Sequence, residues 1–301
     1  MTNEQRLRNL MTPSGHVDVV MDTDACNEVD DQFAISYLLR SQEKLHTVAL
    51  YAAPYSWRDK VDVPTGMENS YREIIKLLAL AEVECPAFRG STAYMQDVCT
   101  PVDSPAARDL AARVEAYTPE RPLYIVAIGA PTNVASAILM NPKVMENAVL
   151  VWLGGHGHDH GGADEFNMRQ DPIATRIVMT CGIPLVQIPC ECVSSVFSIS
   201  KPELESYLVG KNPLADYLAG NILRAQERAG NAKWARVLWD VTAVGWLLND
   251  NDRFMYSRVM PTLVPSPQAR YMSDPQAPES RYVFWINRTA LMTDLIDKLT
   301  K

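Results

Sequence analysis

The chain has no basic excess, no long apolar run and none of the common nucleotide-binding or serine-hydrolase signatures. Twenty-eight Lys and Arg against 36 Asp and Glu leave a formal charge of -8. That is the wrong sign for tracking a phosphate backbone, so nucleic acid is not an expected partner. No stretch approaches the roughly 20 apolar residues needed to span a bilayer, so no membrane contact is expected. The polar opening of the chain, residues 1–16, carries no apolar segment leading to a small-residue cleavage site. The six cysteines contain no C-x-x-C pair and no paired zinc spacing. A chain of 301 residues buries enough core without disulfides. Together these absences suggest a reduced, cytoplasmic setting. G-x-G-x-x-G, the Walker lysine loop, H-E-x-x-H and G-x-S-x-G are also missing, which leaves dinucleotide, P-loop and serine-hydrolase chemistry without motif support.

Hydrophobic residues make up 47% and charged residues 21%, a composition that excludes a disordered or collagen-like chain. Short β-branched runs alternate with helical patterns. This predicts an α/β fold, one domain over residues 1–301, with a mostly parallel open sheet and helices on both faces. The strand candidates are Val17–Met21, Thr47–Tyr51, Leu123–Ile128, Ala148–Leu153 and Leu185–Ile188. Each is near-continuously apolar, as expected of a strand covered on both sides. Helices are expected over Asp31–Arg40, Tyr71–Ala81, Pro131–Met140, Pro172–Cys181, Pro202–Val209, Trp239–Leu248 and Ala290–Leu299. The Pro-, Ser- and Gln-rich stretch Pro265–Ser280 is expected to be a surface loop.

In open α/β sheets, ligands bind beyond the carboxyl ends of the strands. The first strand runs directly into Asp22-Thr23-Asp24, and Asp30-Asp31 follow at the start of a helix. Helix-dipole complementarity and turn capping account for some of these acids, but not for all of them. Four carboxylates about one turn repel each other unless something neutralises them. A hard divalent cation does so, because calcium and magnesium prefer oxygen ligands. The spacing does not match an EF-hand loop.

With the other strand ends, this pattern resembles the aspartate fingerprint of the nucleoside hydrolases, the calcium-dependent N-ribohydrolases. Gly129-Ala130-Pro131-Thr132-Asn133 is similar to that family's Gly-Pro-Leu-Thr-Asn turn. Leu153-Gly154-Gly155, Glu165-Phe166-Asn167 and Asp171-Pro172 resemble its Met-Gly-Gly, Glu-Phe-Asn and Asp-Pro segments, and Trp239-Asp240 its late His-Asp or Trp-Asp pair. The resemblance implies a Rossmann-like core, a small-molecule nucleoside substrate and a homo-oligomer, dimer or tetramer. It implies Ca2+ held by Asp24, Asp31, Asp240 and the backbone carbonyl of Ile128. Asp30, Glu165 and Asn167 would bind the ribose hydroxyls. Asp24 would also be the general base for water attack on the anomeric carbon, and Trp239 would stack on the departing base, which points toward purines. A core-packing role for Trp239 is the alternative. On this basis Asp22, Asp24, Asp30, Asp31 and Asp240 are expected to share one pocket.

The chain departs from the family pattern in places. Five residues, Ala25-Cys26-Asn27-Glu28-Val29, separate the second and third aspartates where three are usual, so Asn27 or Glu28 could add or replace a ligand. Pro54-Tyr55-Ser56-Trp57 stands where an Asn is expected after the second strand. His156-x-His158-Asp159-His160 leaves three readings open: a transition-metal site, contacts to substrate from His156 and His158, or a solvated loop. Two other functions remain: a haloacid dehalogenase-type phosphatase with Asp22 as nucleophile, and a non-catalytic nucleoside or ribose binder on the same scaffold.

Overall fold

The computed structural model describes residues 1–57, 60–230 and 233–301. The strands in chain order are β1 (Val17–Thr23), β2 (Leu45–Ala52), β3 (Ala87–Arg89), β4 (Leu123–Ala127), β5 (Ala148–Leu153) and β6 (Leu185–Ile188). They are followed by β7 (Ser198–Ser200), β8 (Ala235–Val237), β9 (Met255–Pro261), β10 (Leu263–Pro265), β11 (Tyr271–Ser273) and β12 (Glu279–Ile286). Eight of them form one sheet in the order β3-β2-β1-β4-β5-β6-β12-β9. Every neighbouring pair is parallel except β12 with β9. Every residue of β4 and β5 is buried, which accounts for their unbroken apolar sequences.

Helices cover both faces, as expected. One face packs against the helix Asp30–Leu39, in which every residue is buried, and against Val63–Ala81 and Val241–Leu247. A helix enclosed on all sides has no polar stripe, and Phe33, Ile35, Leu38 and Leu39 accordingly lie on more than one of its faces. The opposite face carries Pro105–Arg113, Thr132–Met140 and Pro172–Thr180. The side chain of Asp171 caps the last of these by accepting from the Ala174 amide at 3.0 Å, and Pro172 takes the first turn, where its missing N–H costs nothing.

The structure corrects the expected loop Pro265–Ser280. Its middle forms β11, which pairs antiparallel with β10, and its end opens β12. Three-residue strands are too short to show an alternation pattern, and β9 is an edge strand with only Met255 and Met260 apart from proline and valine among its apolar residues. All six cysteines are free. Among the described residues, no helix is long and apolar enough to cross a membrane.

The strand order reverses between β1 and β4, because β1 leads outward to β2 and β3 while β4 leads to β5 and β6. Crossovers that leave in opposite directions open a crevice at the carboxyl ends of these strands. Gly90, just after β3, permits a close approach beside that crevice. A Cβ there would lie 1.9 Å from the Ala52 carbonyl and 2.5 Å from Asn133 Nδ2. A backbone carbonyl in a packed sheet cannot move aside cheaply. Gly90→Ala is therefore expected to cost about 1–3 kcal/mol in urea unfolding, as other overpacking changes do; an unchanged midpoint would contradict the packing described.

Candidate active site

A cavity of about 240 Å³ opens at the switch point and is lined by Asp24, Asp30, Asp31, Ile128, Trp239 and Asp240, among others. A roomier polar cavity of about 450 Å³ lies among Arg8, His16, Asp18 and Tyr117. Asp18 sits near the start of β1, at the end of the sheet away from the strand termini that bear the acids. The chemistry is in the smaller cavity.

Four aspartates from two distant parts of the chain meet there. Asp24 follows β1, Asp30 and Asp31 open the buried helix, and Asp240 precedes the helix Val241–Leu247. Asp30, Asp31 and Asp240 each bring a carboxylate oxygen within 4.8 Å of the other two. Thr23 Oγ1 donates to Asp31 Oδ1 at 2.7 Å, and the Asp240 amide donates to Asp30 Oδ2 at 3.4 Å. Asp30 Oδ1 is buried without a hydrogen-bond partner; the guanidinium of Arg236 stands 3.9 Å away. Arg236 also pairs with Glu28.

Burial and mutual repulsion push these carboxyls upward. Asp24 rises to about 8, mainly through desolvation, against the pull of hydrogen bonds that include one from Asn27. Asp30 rises through burial first and then through Glu28 and Asp31. Asp31 and Asp240 rise for the same reasons, desolvation followed by the neighbouring aspartates. Two full charges 4.8 Å apart repel by about 3 kcal/mol at an effective dielectric of about 20. The all-oxygen donor set fits a hard divalent cation, and the cluster contains no imidazole or thiolate that would favour zinc.

Asp22 does not belong to this group, which corrects the expected five-acid pocket. It is absent from the cavity wall, and its Oδ1 accepts from Asn133 Nδ2 at 2.7 Å. Asn133 also donates to the Ala52 carbonyl at 3.1 Å and accepts from the Ser91 amide at 2.8 Å. The Gly129–Asn133 turn thus ties β1, β2 and the segment after β3 together. Asp22 is fully buried and off the cavity wall, with its Oδ2 unpartnered, so it is badly placed to act as a phosphatase nucleophile.

Glu165 and Asn167 line the cavity, as expected. Glu165 Oε2 accepts from the Gly155 and Met168 amides at 3.0 and 3.1 Å, and Oε1 accepts from the Asn167 amide at 2.9 Å. Asn167 Nδ2 donates to the carbonyls of Ile128 and Leu153 at 3.1 and 3.0 Å. His156 is on the wall, against His160 at 4.2 Å between ring centroids. Burial, then His160, lowers its pKa, which favours the neutral ring.

His158 is elsewhere. It stacks on Tyr282 at 4.2 Å and meets Tyr271 edge-on at 4.9 Å, and it is not on the cavity wall. Both tyrosines come from the region that sequence patterning left as a loop or unassigned, so nothing near residue 158 announced them. Trp239 is partly buried: it packs against the larger core cluster and also lines the cavity. Phe166, Arg169, Cys190 and Glu191 also line it and were not expected. Their signal was their position after β5 and β6.

Cation binding and proton release are linked here. In the cation-free protein, folding raises these carboxyl pKa values from about 4 toward the value of about 8 at Asp24, so folding takes up protons between those limits. This contribution is favourable at low pH and is lost as pH rises toward 8. A cation needs the ionised form, so its affinity moves in the opposite direction. Calorimetry should show calcium or magnesium binding more tightly at pH 8 than at pH 6, with proton release. Equal affinity and no proton release at both values would contradict the cluster's assignment.

The comparisons agree with the geometry. The model of the inosine-uridine preferring nucleoside hydrolase family matches residues 19–277. The pyrimidine-specific ribonucleoside hydrolase RihA of Salmonella schwarzengrund is 29% identical over 134 residues, 42% of this chain and 43% of that protein. RihA of Citrobacter koseri is 29% identical over 161 residues, 52% of this chain and 49% of that protein. The chain therefore matches about half the length of these curated relatives. A plant nucleoside hydrolase superposes with a TM-score of 0.72 at 21% identity, covering 94% of this chain and 99% of its own. An inosine-guanosine nucleoside hydrolase gives 0.74 at 19% identity, with 94% and 98% covered. At such identities the structures show a shared fold. With four aspartates at the switch point and a family match over most of its length, the chain belongs to the inosine-uridine preferring nucleoside hydrolase family.

Proposed function

We propose that the protein hydrolyses the N-glycosidic bond of ribonucleosides to ribose and free base. The observation that carries this is the meeting of Asp24, Asp30, Asp31 and Asp240 in one cavity, with a buried oxygen of Asp30 left unpaired. Asp24, Asp31, Asp240 and the Ile128 carbonyl would hold Ca2+, which when bound neutralises the acids and polarises water. The Ile128 carbonyl accepts one hydrogen bond, from Asn167, and has a second lone pair.

Asp24 is the base that takes a proton from the attacking water, and the ionised form that a bound cation favours is the form able to accept it. Asp30 Oδ1, with no partner of its own, accepts a ribose hydroxyl. A carboxylate offers about four lone-pair sites. Three of those on Glu165 are taken by amides, and the Cys190 thiol bonds the same carboxylate, so Glu165 meets the sugar as a rigidly held acceptor. Asn167 completes this polar wall. Fixing the hydroxyls sets the anomeric carbon against the water, and the surrounding carboxylates stabilise its developing positive charge. Trp239 stacks on the leaving base, and its broad face favours a purine. His156 contacts the base from the loop side; His158 lies behind it. The same reading includes a cytoplasmic setting, consistent with six free cysteines. It also includes self-association into a dimer or tetramer, for which the exposed Tyr256–Trp285 stack on the edge strand and its neighbour offers a surface.

Release of free base from inosine and uridine tests the reaction. Turnover is expected with calcium and lost with a chelator. Asp24→Ala is expected to lower kcat by at least about 100-fold while leaving the protein folded, with an unchanged or raised melting temperature without cation, since a crowded acid is removed. Full turnover in that variant would contradict the assignment, and tight nucleoside binding without base release would favour the binder. A higher kcat/KM for uridine than for inosine would overturn the role given to Trp239.

A further inference from the structure

The five-residue spacer between the second and third aspartates is bonded to Asp24. The Asn27 amide donates to the Asp24 carbonyl at 2.8 Å, closing a tight turn, and Asn27 Nδ2 donates to Asp24 Oδ2 at 2.9 Å. Asn27 Oδ1 in turn accepts from the indole Nε1–H of Trp57 at 2.5 Å. An Asn amide has one end that donates and one that accepts, so the indole N–H fixes which end faces the carboxylate. Trp57 is partly exposed and has two further contacts. Its ring lies 5.1 Å from that of Phe166, and its backbone bridges to Val61. Phe166 lines the cavity between Glu165 and Asn167.

We infer that Asn27 and Trp57 are positioning residues that orient the Asp24 carboxylate through the chain Trp57 Nε1–H to Asn27 to Asp24 Oδ2. This inference rests on Asp24 acting as the base proposed above. Neither residue needs to touch the sugar. With Oδ2 held by Asn27, the other oxygen, Oδ1, is left for the proton in flight. Oδ1 is also the atom that crowds Gly129, where a Cβ would lie 3.0 Å from it, so the carboxylate is confined from two sides. Trp57 stands in the segment after the second strand and exerts its hold from the far side of Asn27. The tilted ring contact with Phe166 couples that hold to the wall that receives the ribose.

The test is a pair of substitutions and their combination, assayed for base release beside the wild type. Trp57→Phe keeps a ring against Phe166 and removes only the N–H; Asn27→Leu removes both bonds. Asn27→Leu is expected to lower kcat by about 10- to 100-fold, the scale of a displaced catalytic group, with KM within about two-fold. Trp57→Phe is expected to have a smaller effect of the same kind and none when added to Asn27→Leu, because the chain is already cut. In the 1H–15N spectrum, the indole signal missing from Trp57→Phe should shift in Asn27→Leu while the melting temperature stays unchanged. An active wild type with kcat unchanged in both variants, additive losses, or a rise confined to KM would each overturn the positioning role and leave the proposed reaction standing. A wild type that releases no base overturns the reaction itself.

Discussion

Like charges crowded into a dry pocket are the constraint on which the rest of the structure depends. Four aspartates share one wall, and among the described residues the one ion pair to them is that of Arg236, 3.9 Å from Asp30. Such a cluster is unstable by itself. The surrounding chain limits the cost in small steps, with a threonine hydroxyl on Asp31, an amide on Asp30 and an asparagine on Asp24. None of these supplies a full positive charge. A site that forgoes internal neutralisation gains a high affinity for whatever cation enters, and that is the use of the strain.

Topology makes the crowding unavoidable. The crossovers from β1 and β4 leave in opposite directions, so their ends frame a crevice. Asp24 and Ile128 are delivered by the two central strands, and the helix that begins with Asp30-Asp31 is buried on every side. Asp240 arrives from more than 200 residues away, and its amide bond to Asp30 joins the two parts. A separate buried network, Asp22–Asn133–Ser91 with Ala52, fixes the ends of the strands and leaves the cavity wall to the acids above it.

Much of this could be read from residues alone, for physical reasons that differ by element. β1, β2, β4, β5 and β6 are covered on both faces, and their apolar runs stand out. β9, β11 and β12 lie toward the edge or in short pairs, where exposure dilutes the pattern. The carboxylates were legible because no ordinary surface gathers Asp24, Asp30 and Asp31 at a strand end. Asp22 sits in the same motif but turns to Asn133, a distinction spacing does not carry. The place of His158 off the cavity wall was not legible because its partners, Tyr271 and Tyr282, are more than 100 residues away. The hold of Trp57 on Asn27 left no trace in the sequence, since it depends on a side-chain hydrogen bond between two loops.

The most direct measurement is a crystal structure of the protein grown with calcium and ribose. The account predicts one cation touching Asp24, Asp31, Asp240 and the Ile128 carbonyl, with the sugar hydroxyls on Asp30 and Asn167. A cation bound elsewhere, or a cavity that takes ribose with the four aspartates still unliganded, would contradict it.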